Sequence, residues 1–231
     1  MKIALIGYGK MGHIIESFAL QRGHEIVCII DKDNTHDFTS EAFASADVAI
    51  EFTTPKTAET NILQAWKAGI PVVCGTTGWD VESIKQQLLH NTTQPLHHTT
   101  PALMWSSNYS IGVNILFALN KQLAKFMEAY PAYTPHMTEV HHIHKLDAPS
   151  GTAKTLQEVI GEERLPLHTI ESIREGEVPG IHTVTWDSEV DSITISHSAK
   201  SRQGFALGAV IAAEWMKGKT GYHTFEEVIL G

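Results

Sequence analysis

The sequence predicts an α/β fold, a doubly wound parallel sheet followed by a second, α+β domain. Three observations carry that expectation. An apolar strand runs straight into a Gly-rich turn that opens a helical pattern. Short apolar runs and amphipathic runs then alternate to about residue 110, the order of strands and helices around a parallel sheet. Beyond a long helical stretch ending near residue 130, strand-like runs follow one another instead.

Lys2–Ile6 is the first strand. Gly7, Tyr8, Gly9, Lys10, Met11 and Gly12 follow it, with Met11, Ile14, Ile15, Phe18 and Ala19 at helical spacing and Gly23 as the stop. Strand, Gly-x-Gly-x-x-Gly and helix in that order make the Rossmann-type dinucleotide fingerprint. Its glycines permit a tight turn and let a pyrophosphate approach the helix N-terminus. The second strand, Glu25–Ile30, ends in Asp31, an acid placed to accept the hydroxyls of an adenosine ribose. Lys32 offers a counter-charge to a 2′-phosphate that Asp31 repels. NADH and NADPH both stay open, with the acid favouring NADH.

Residues 47–52 form a strand, 57–68 a helix closed by Gly69, and 70–74 a strand leading into Gly75-Thr76-Thr77-Gly78. Residues 80–89 form a helix capped by Asp80, and Ala102–Trp105 a strand leading into Ser106, Ser107, Asn108 and Tyr109. Ligands of such a sheet bind at the carboxyl ends of its strands. Those ends, with Thr53-Thr54-Pro55 among them, are small and polar. Residues 91–100 read as a polar linker, and its His97 and His98 receive no role.

Residues 111–130 form a long helix, with Ile115, Leu119, Leu123, Phe126 and Met127 on or near one face as a core stripe. Pro131 and Pro135 stop it. Strands over 137–142, 170–174, 182–186 and 193–197, interrupted by a helix over 152–160, make an open mixed sheet with helices on one side. A last helix, from Ser201 to about Lys217, is apolar enough to return to the first domain. The expected domains are 1–110 with 201–231, which binds the dinucleotide, and 111–200, with hinges near 108–111 and 200–202.

A chain of 231 residues can bury a good core, and 42% apolar residues is ordinary for a globular protein. The net charge of −9 argues against a general binder of nucleic acid or anionic membrane, without excluding an anionic substrate. Cys28 and Cys74 sit in apolar strand-like runs, as buried reduced thiols would. No run reaches the ~18 apolar residues of a membrane span, and glycines break the N-terminal run too early for a signal peptide. A cytoplasmic protein is expected.

The chemistry concentrates in residues 139–153, Glu-Val-His-His-Ile-His-Lys-Leu-Asp-Ala-Pro-Ser-Gly-Thr-Ala. A strand ends here, and Pro149 and Gly151 break regular structure. Ser150 is placed to cap a helix whose first amides, at Gly151 and Thr152, would bind an anion such as a carboxylate. His141, His142, His144 and Lys145 stand beside that cradle. On a strand His142 and His144 share a face while His141 points away, and no nearby cysteine or acid has metal-ligand spacing, so no metal is expected. A proton donor, a cation and an anion cradle together point to a small acidic substrate.

Glu-x-His-His-x-x-Lys-x-Asp-Ala-Pro-Ser-Gly-Thr-Ala resembles the signature of the dihydrodipicolinate (4-hydroxy-tetrahydrodipicolinate) reductases of bacterial lysine and diaminopimelate biosynthesis. The resemblance extends through the Gly-rich turn, residues 75–78, residues 107–112, and Ser201-Arg202 with Phe205-Ala206-x-Gly208-Ala209. It implies an NAD(P)H-dependent oxidoreductase that reduces the cyclic imine product of dihydrodipicolinate synthase, a dicarboxylate, to tetrahydrodipicolinate. It implies a homotetramer in which 111–200 is the substrate-binding and oligomerisation domain. By the same resemblance His141 is the proton donor and Lys145 the other catalytic group. His142, Lys145, Gly151 and Thr152 hold the substrate, and Gly75, Thr76, Thr77 and Ser106 to Tyr109 contact the nicotinamide half of the cofactor.

Hydride addition beside an imine leaves negative charge on the neighbouring carbon, which a protonated His141 quenches, and imidazole has the right pKa without any shift. Three features depart from the family pattern. The chain is short; Lys10 stands where many members carry Arg, in a turn tighter by one residue; and Ser106-Ser107 replaces Ala-Ala or Ala-Pro. Another two-domain amino-acid dehydrogenase would share the nucleotide half but has no reason to carry residues 139–153. A non-catalytic NAD(H)-sensing protein would not depend on His141 and Lys145.

Overall fold

The computed structural model describes residues 1–93 and 101–231, with 89–93 described through their backbone alone; linker residues 94–100, His97 and His98 included, lie outside the described residues. The strands are β1 (Lys2–Ile6), β2 (Glu25–Ile30), β3 (Val48–Glu51), β4 (Val72–Cys74), β5 (Ala102–Trp105), β6 (Thr134–His141), β7 (Ile170–Arg174), β8 (Ile181–Asp187), β9 (Ser192–Ser198) and β10 (Gly221–His223). The α-helices are α1 (Lys10–Gln21), α2 (Glu41–Ala44), α3 (Ala58–Lys67), α4 (Val81–Thr93), α5 (Ile111–Met127), α6 (Gly151–Ile160), α7 (Gln203–Met216) and α8 (Phe225–Leu230). They form two compact units, Met1–Ser110 with Phe205–Gly231, and Ile111–Gly204.

The first unit is a six-stranded sheet in the order β10-β5-β4-β3-β1-β2, parallel throughout. Its central strands are continuous apolar runs because both faces are covered: Ile3, Ala4, Leu5 and Ile6 in β1 and Val48, Ala49 and Ile50 in β3 are all buried. Each of the Ile, Leu and Val side chains contributes roughly 1.5–3 kcal/mol by leaving water. β10 and α8 extend this unit beyond the expected last helix. β10 pairs with β5 through three residues, too few for a legible pattern. Cys74 is buried as expected, whereas Cys28 is only half-buried.

The second unit is a mixed sheet in the order β7-β6-β8-β9, with β6–β7 parallel and the other pairs antiparallel. Met137, Ile170, Val184 and Trp186 on its inner face pack against Leu116, Ala124, Leu156 and Ile160 of α5 and α6. The expected stripe on α5 is displaced. Ile115, Leu119 and Phe126 are 44%, 52% and 64% exposed, and the buried line is Val113, Leu116, Asn120, Ala124 and Met127. Asn120 turns inward because its amide donates to Leu156 O at 2.9 Å, and small Ala124 packs in the same cluster. Pro135 does not stop α5, which ends at Met127; it is the second residue of β6. A proline is tolerated in this inner strand because β7 pairs with β6 only from Met137 onward.

Candidate active site

The inner face of β6 carries Met137 and then, by strand alternation, Glu139 and His141. Their register partners on β7 are Ser172 and Arg174, and Glu139 stands opposite His182 on β8. The face that is apolar at one end is therefore polar at the other. Glu139 is fully buried. Both its oxygens accept the Ser150 amide at 3.1 Å, and one accepts from Arg174 Nη2 at 3.0 Å. Burial alone would raise its pKa; the bonds from Ser150 and Arg174 outweigh burial and hold the carboxyl below its ordinary range.

The Glu139 carboxylate lies 3.4 Å from His141 Nδ1 and 3.7 Å from His182 Nε2, and the latter is 3.1 Å from Ser150 Oγ. Burial, then the neighbouring His141, brings the His182 pKa down to about 4, so that ring is neutral near pH 7. His141 is also lowered. Burial is the main cause, Lys145 and Arg174 add to it, and Glu139 and Asp147 oppose it. The expectation of an unshifted imidazole thus fails, because this ring is only 7% exposed. Glu139, His141 and His182 bring three ligand-type atoms within 4.8 Å of one another. The carboxylate, however, is committed to Arg174 and the Ser150 amide, which favours a proton-handling cluster over a metal centre.

Beyond β6 the chain turns, with Lys145 N donating to His142 O at 3.1 Å. Lys145 Nζ pairs with Asp147 Oδ1 at 2.7 Å, and Arg174 also donates to Asp147 O. Ser150 caps α6 by accepting from Ala153 N, which leaves Gly151 and Thr152 at the positive end of the helix. His142 and His144 lie apart from the buried cluster, their rings 5.9 Å from each other, and His144 pairs with Glu177. The sequence reading did not assign roles to Glu139, Arg174 and His182. Glu139 carries a signal, standing two residues before His141 and so on the same strand face. Arg174 and His182 carry none, because they reach the site through strand register.

In the first unit a cleft of about 330 Å³ is lined by Gly7, Tyr8, Gly9, Asp31 and Lys32, together with Thr53, Thr54, Thr57 and Asn61. Gly7 has φ +93°, and a Cβ there would lie 2.1 Å from Phe52 O; one on Gly12 would lie 2.5 Å from Gly7 O. The start of α1 carries no side-chain cap. Lys10, Met11 and Gly12 do not line this cleft, nor do residues 75–77 or 106–109. Thr76 Oγ1 accepts from Thr53 N, Asn108 Oδ1 accepts from Ser110 N, and the buried Tyr109 hydroxyl bonds to Cys74 O and Met104 O. Those side chains shape the strand-end loops, while Thr77 and Ser107 face outward.

Comparison with known proteins agrees over the whole chain. The family model described as dihydrodipicolinate reductase, N-terminus, matches residues 1–109, and the one described as dihydrodipicolinate reductase, C-terminus, matches 112–229. The 4-hydroxy-tetrahydrodipicolinate reductase of Christiangramia forsetii is 43% identical, with 99% of this chain and 98% of the relative covered. That of Thermosipho africanus is 35% identical at the same coverage. The dipicolinate-bound dihydrodipicolinate reductase from Paenisporosarcina sp. TG-14 has a similar fold, with a TM-score of 0.76 at 22% identity over 100% of this chain and 99% of that one.

Proposed function

The chain belongs to the dihydrodipicolinate reductase family, an oxidoreductase family of amino-acid biosynthesis, and on that premise we propose that His141 supplies the proton when 4-hydroxy-tetrahydrodipicolinate is reduced to tetrahydrodipicolinate. One observation carries this reading. Of the three motif histidines, His141 alone belongs to the buried cluster of Glu139, Ser150 and His182. Lys145, held by Asp147, faces the same ring and neutralises one substrate carboxylate. Gly151 and Thr152, at the helix N-terminus, receive the other, with His142 beside them. Both carboxylates arrive near His141 and raise its pKa toward working pH.

A nicotinamide cofactor fits the first unit: Gly7 and Gly12 keep backbone approaches that a Cβ would fill, and the helix start behind them has no side-chain cap. When bound, NADH or NADPH supplies the hydride. Gly7, Tyr8, Gly9, Lys10, Met11 and Gly12 hold its pyrophosphate, Asp31 and Lys32 meet the adenosine ribose, and Gly75, Thr76, Thr77 and Ser106 to Tyr109 orient the nicotinamide half. In our reading 1–110 with 201–231 is the cofactor domain, and 111–200 is the substrate and oligomerisation domain of a cytoplasmic homotetramer. The exposed Ile115, Leu119 and Phe126 are apolar surface of the kind that subunit contacts cover. No helix among the described residues is long and apolar enough to cross a membrane.

The test couples the protein to a dihydrodipicolinate synthase with pyruvate and aspartate semialdehyde, following loss of reduced-nicotinamide absorbance. Oxidation that depends on the synthase is expected, faster with NADH than with NADPH because Asp31 repels a 2′-phosphate. Protein that binds NADH but oxidises neither cofactor would sink the reading. A second expectation concerns Gly180, where φ is +151° and a Cβ would lie 3.1 Å from His141 Nε2. Gly180→Ala should displace the ring and lower kcat roughly 10- to 100-fold, a size set by the cost of misplacing a reacting group by about 1 Å. Steady-state kinetics with kcat unchanged would show that the ring tolerates the contact.

A further inference from the structure

We propose that Glu139 is the positioning residue of the proton donor: its buried carboxylate faces His141 Nδ1, fixes the ring so that Nε2 carries the transferable proton, and is itself fixed by Arg174 and the Ser150 amide. The inference rests on the reading of His141 as donor. His141 Nδ1 is buried and makes no hydrogen bond among the described residues, and Glu139 Oε2 stands 3.4 Å from it. That spacing is an ion-pair distance which closes to a hydrogen bond with a small ring movement. On the far side of the ring Gly180 leaves room at Nε2. A proton held at Nδ1 by the carboxylate makes Nε2 the nitrogen that exchanges with substrate.

The charged and titratable groups facing the ring come from each packed element. They are Glu139 on β6, Lys145 and Asp147 on the following loop, Arg174 on β7 and His182 on β8. Burial, Lys145 and Arg174 disfavour a charged His141, while Glu139 and Asp147 favour it. Asp147 is already bonded to Lys145 and its side chain is 55% exposed, whereas that of Glu139 is 0% exposed. A charge away from water acts more strongly on its neighbour. Glu139 is therefore the main support of the imidazolium. Its two fixed partners keep it charged and in place without pointing it at solvent.

The decisive variant is Glu139→Gln, which keeps shape and an acceptor oxygen but removes the charge. The reaction needs protonated His141, and Glu139 raises its pKa, so neutralising Glu139 lowers that pKa. The alkaline limb of the kcat profile should move to lower pH, and kcat near pH 7 should fall about 10- to 100-fold, as loss of a group that orients a functional histidine does. KM for NADH should not change. Glu139→Asp keeps the charge but withdraws it, and should move the limb the same way by less. Glu139→Asp also decides the matter should the Gln variant fail to fold. A folded variant with reduced kcat and an unmoved limb would overturn the proposal, since loss of packing alone does not shift a titration. His141→Ala runs beside them. Wild-type turnover there would remove the donor assignment itself, whereas loss there with an unmoved limb in the Glu139 variants would remove only the positioning role.

Discussion

Replacing His141 with alanine is expected to lower turnover about 10²- to 10⁴-fold, the usual contribution of a positioned general acid. NADH binding should not change, because the residues assigned to the cofactor lie in the first unit. The size of the loss follows from where the ring sits. Its neighbours are Glu139, Lys145, Arg174 and His182, and an alanine leaves the carboxylate and the two cations without the imidazolium proton between them. The alkaline limb set by His141 should also disappear, leaving a profile flat through the imidazole range. Single-turnover oxidation of NADH, with cofactor binding followed by fluorescence, separates the two effects. Full turnover in His141→Ala would move the donor elsewhere, and His142 is next in line, since its Nδ1 is buried and makes no hydrogen bond among the described residues.

Gly7→Ala is expected to cost roughly 2–6 kcal/mol, adding about 1–3 for a strained backbone to about 1–3 for overpacking. The backbone there is left-handed, at φ +93°, and the atom in the way is Phe52 O at 2.1 Å. Phe52 cannot give, because its amide donates to Ile6 O at 2.8 Å and Ile6 pairs with Glu51 in the sheet. Against a total stability of about 5–15 kcal/mol, that is a large share of the margin, and a turn that shifts to make room should also bind cofactor less well. Gly9→Ala in the same turn is the control. Its φ is −83° and nothing lies within 4 Å of the added carbon, so stability should stay within about 0.5 kcal/mol. Urea unfolding of both variants provides the check, and equal midpoints would show that the tight approach at Gly7 does not hold.

What could be read from the sequence was local. A strand meeting Gly7, a helix opening after Ser150, and Glu139, His141 and Lys145 close together in one chain segment need no knowledge of the rest of the chain. What could not be read depends on pairing. Arg174 and His182 lie more than thirty residues from His141 in the chain and join it only because β6 lies between β7 and β8. The lowered pKa of His141 escaped for the same reason, since burial is a property of the assembled sheet. α5 misled in another way. Ile115, Leu119 and Phe126 outrank Asn120 and Ala124 as apolar residues, yet a hydrogen bond to Leu156 O and a small side chain decide which side faces in.

One strand face serves two purposes. Met137, Glu139 and His141 alternate along β6, so the same register that buries Met137 against Trp186 and Val184 also delivers the carboxylate and the imidazole. Slippage of β6 by a single residue would turn all three outward at once. A molecule slipped at β6 would thus lose the inward-facing Met137 and the two site residues together. Loss of the second unit's packing and loss of activity should therefore accompany any slip of this strand together.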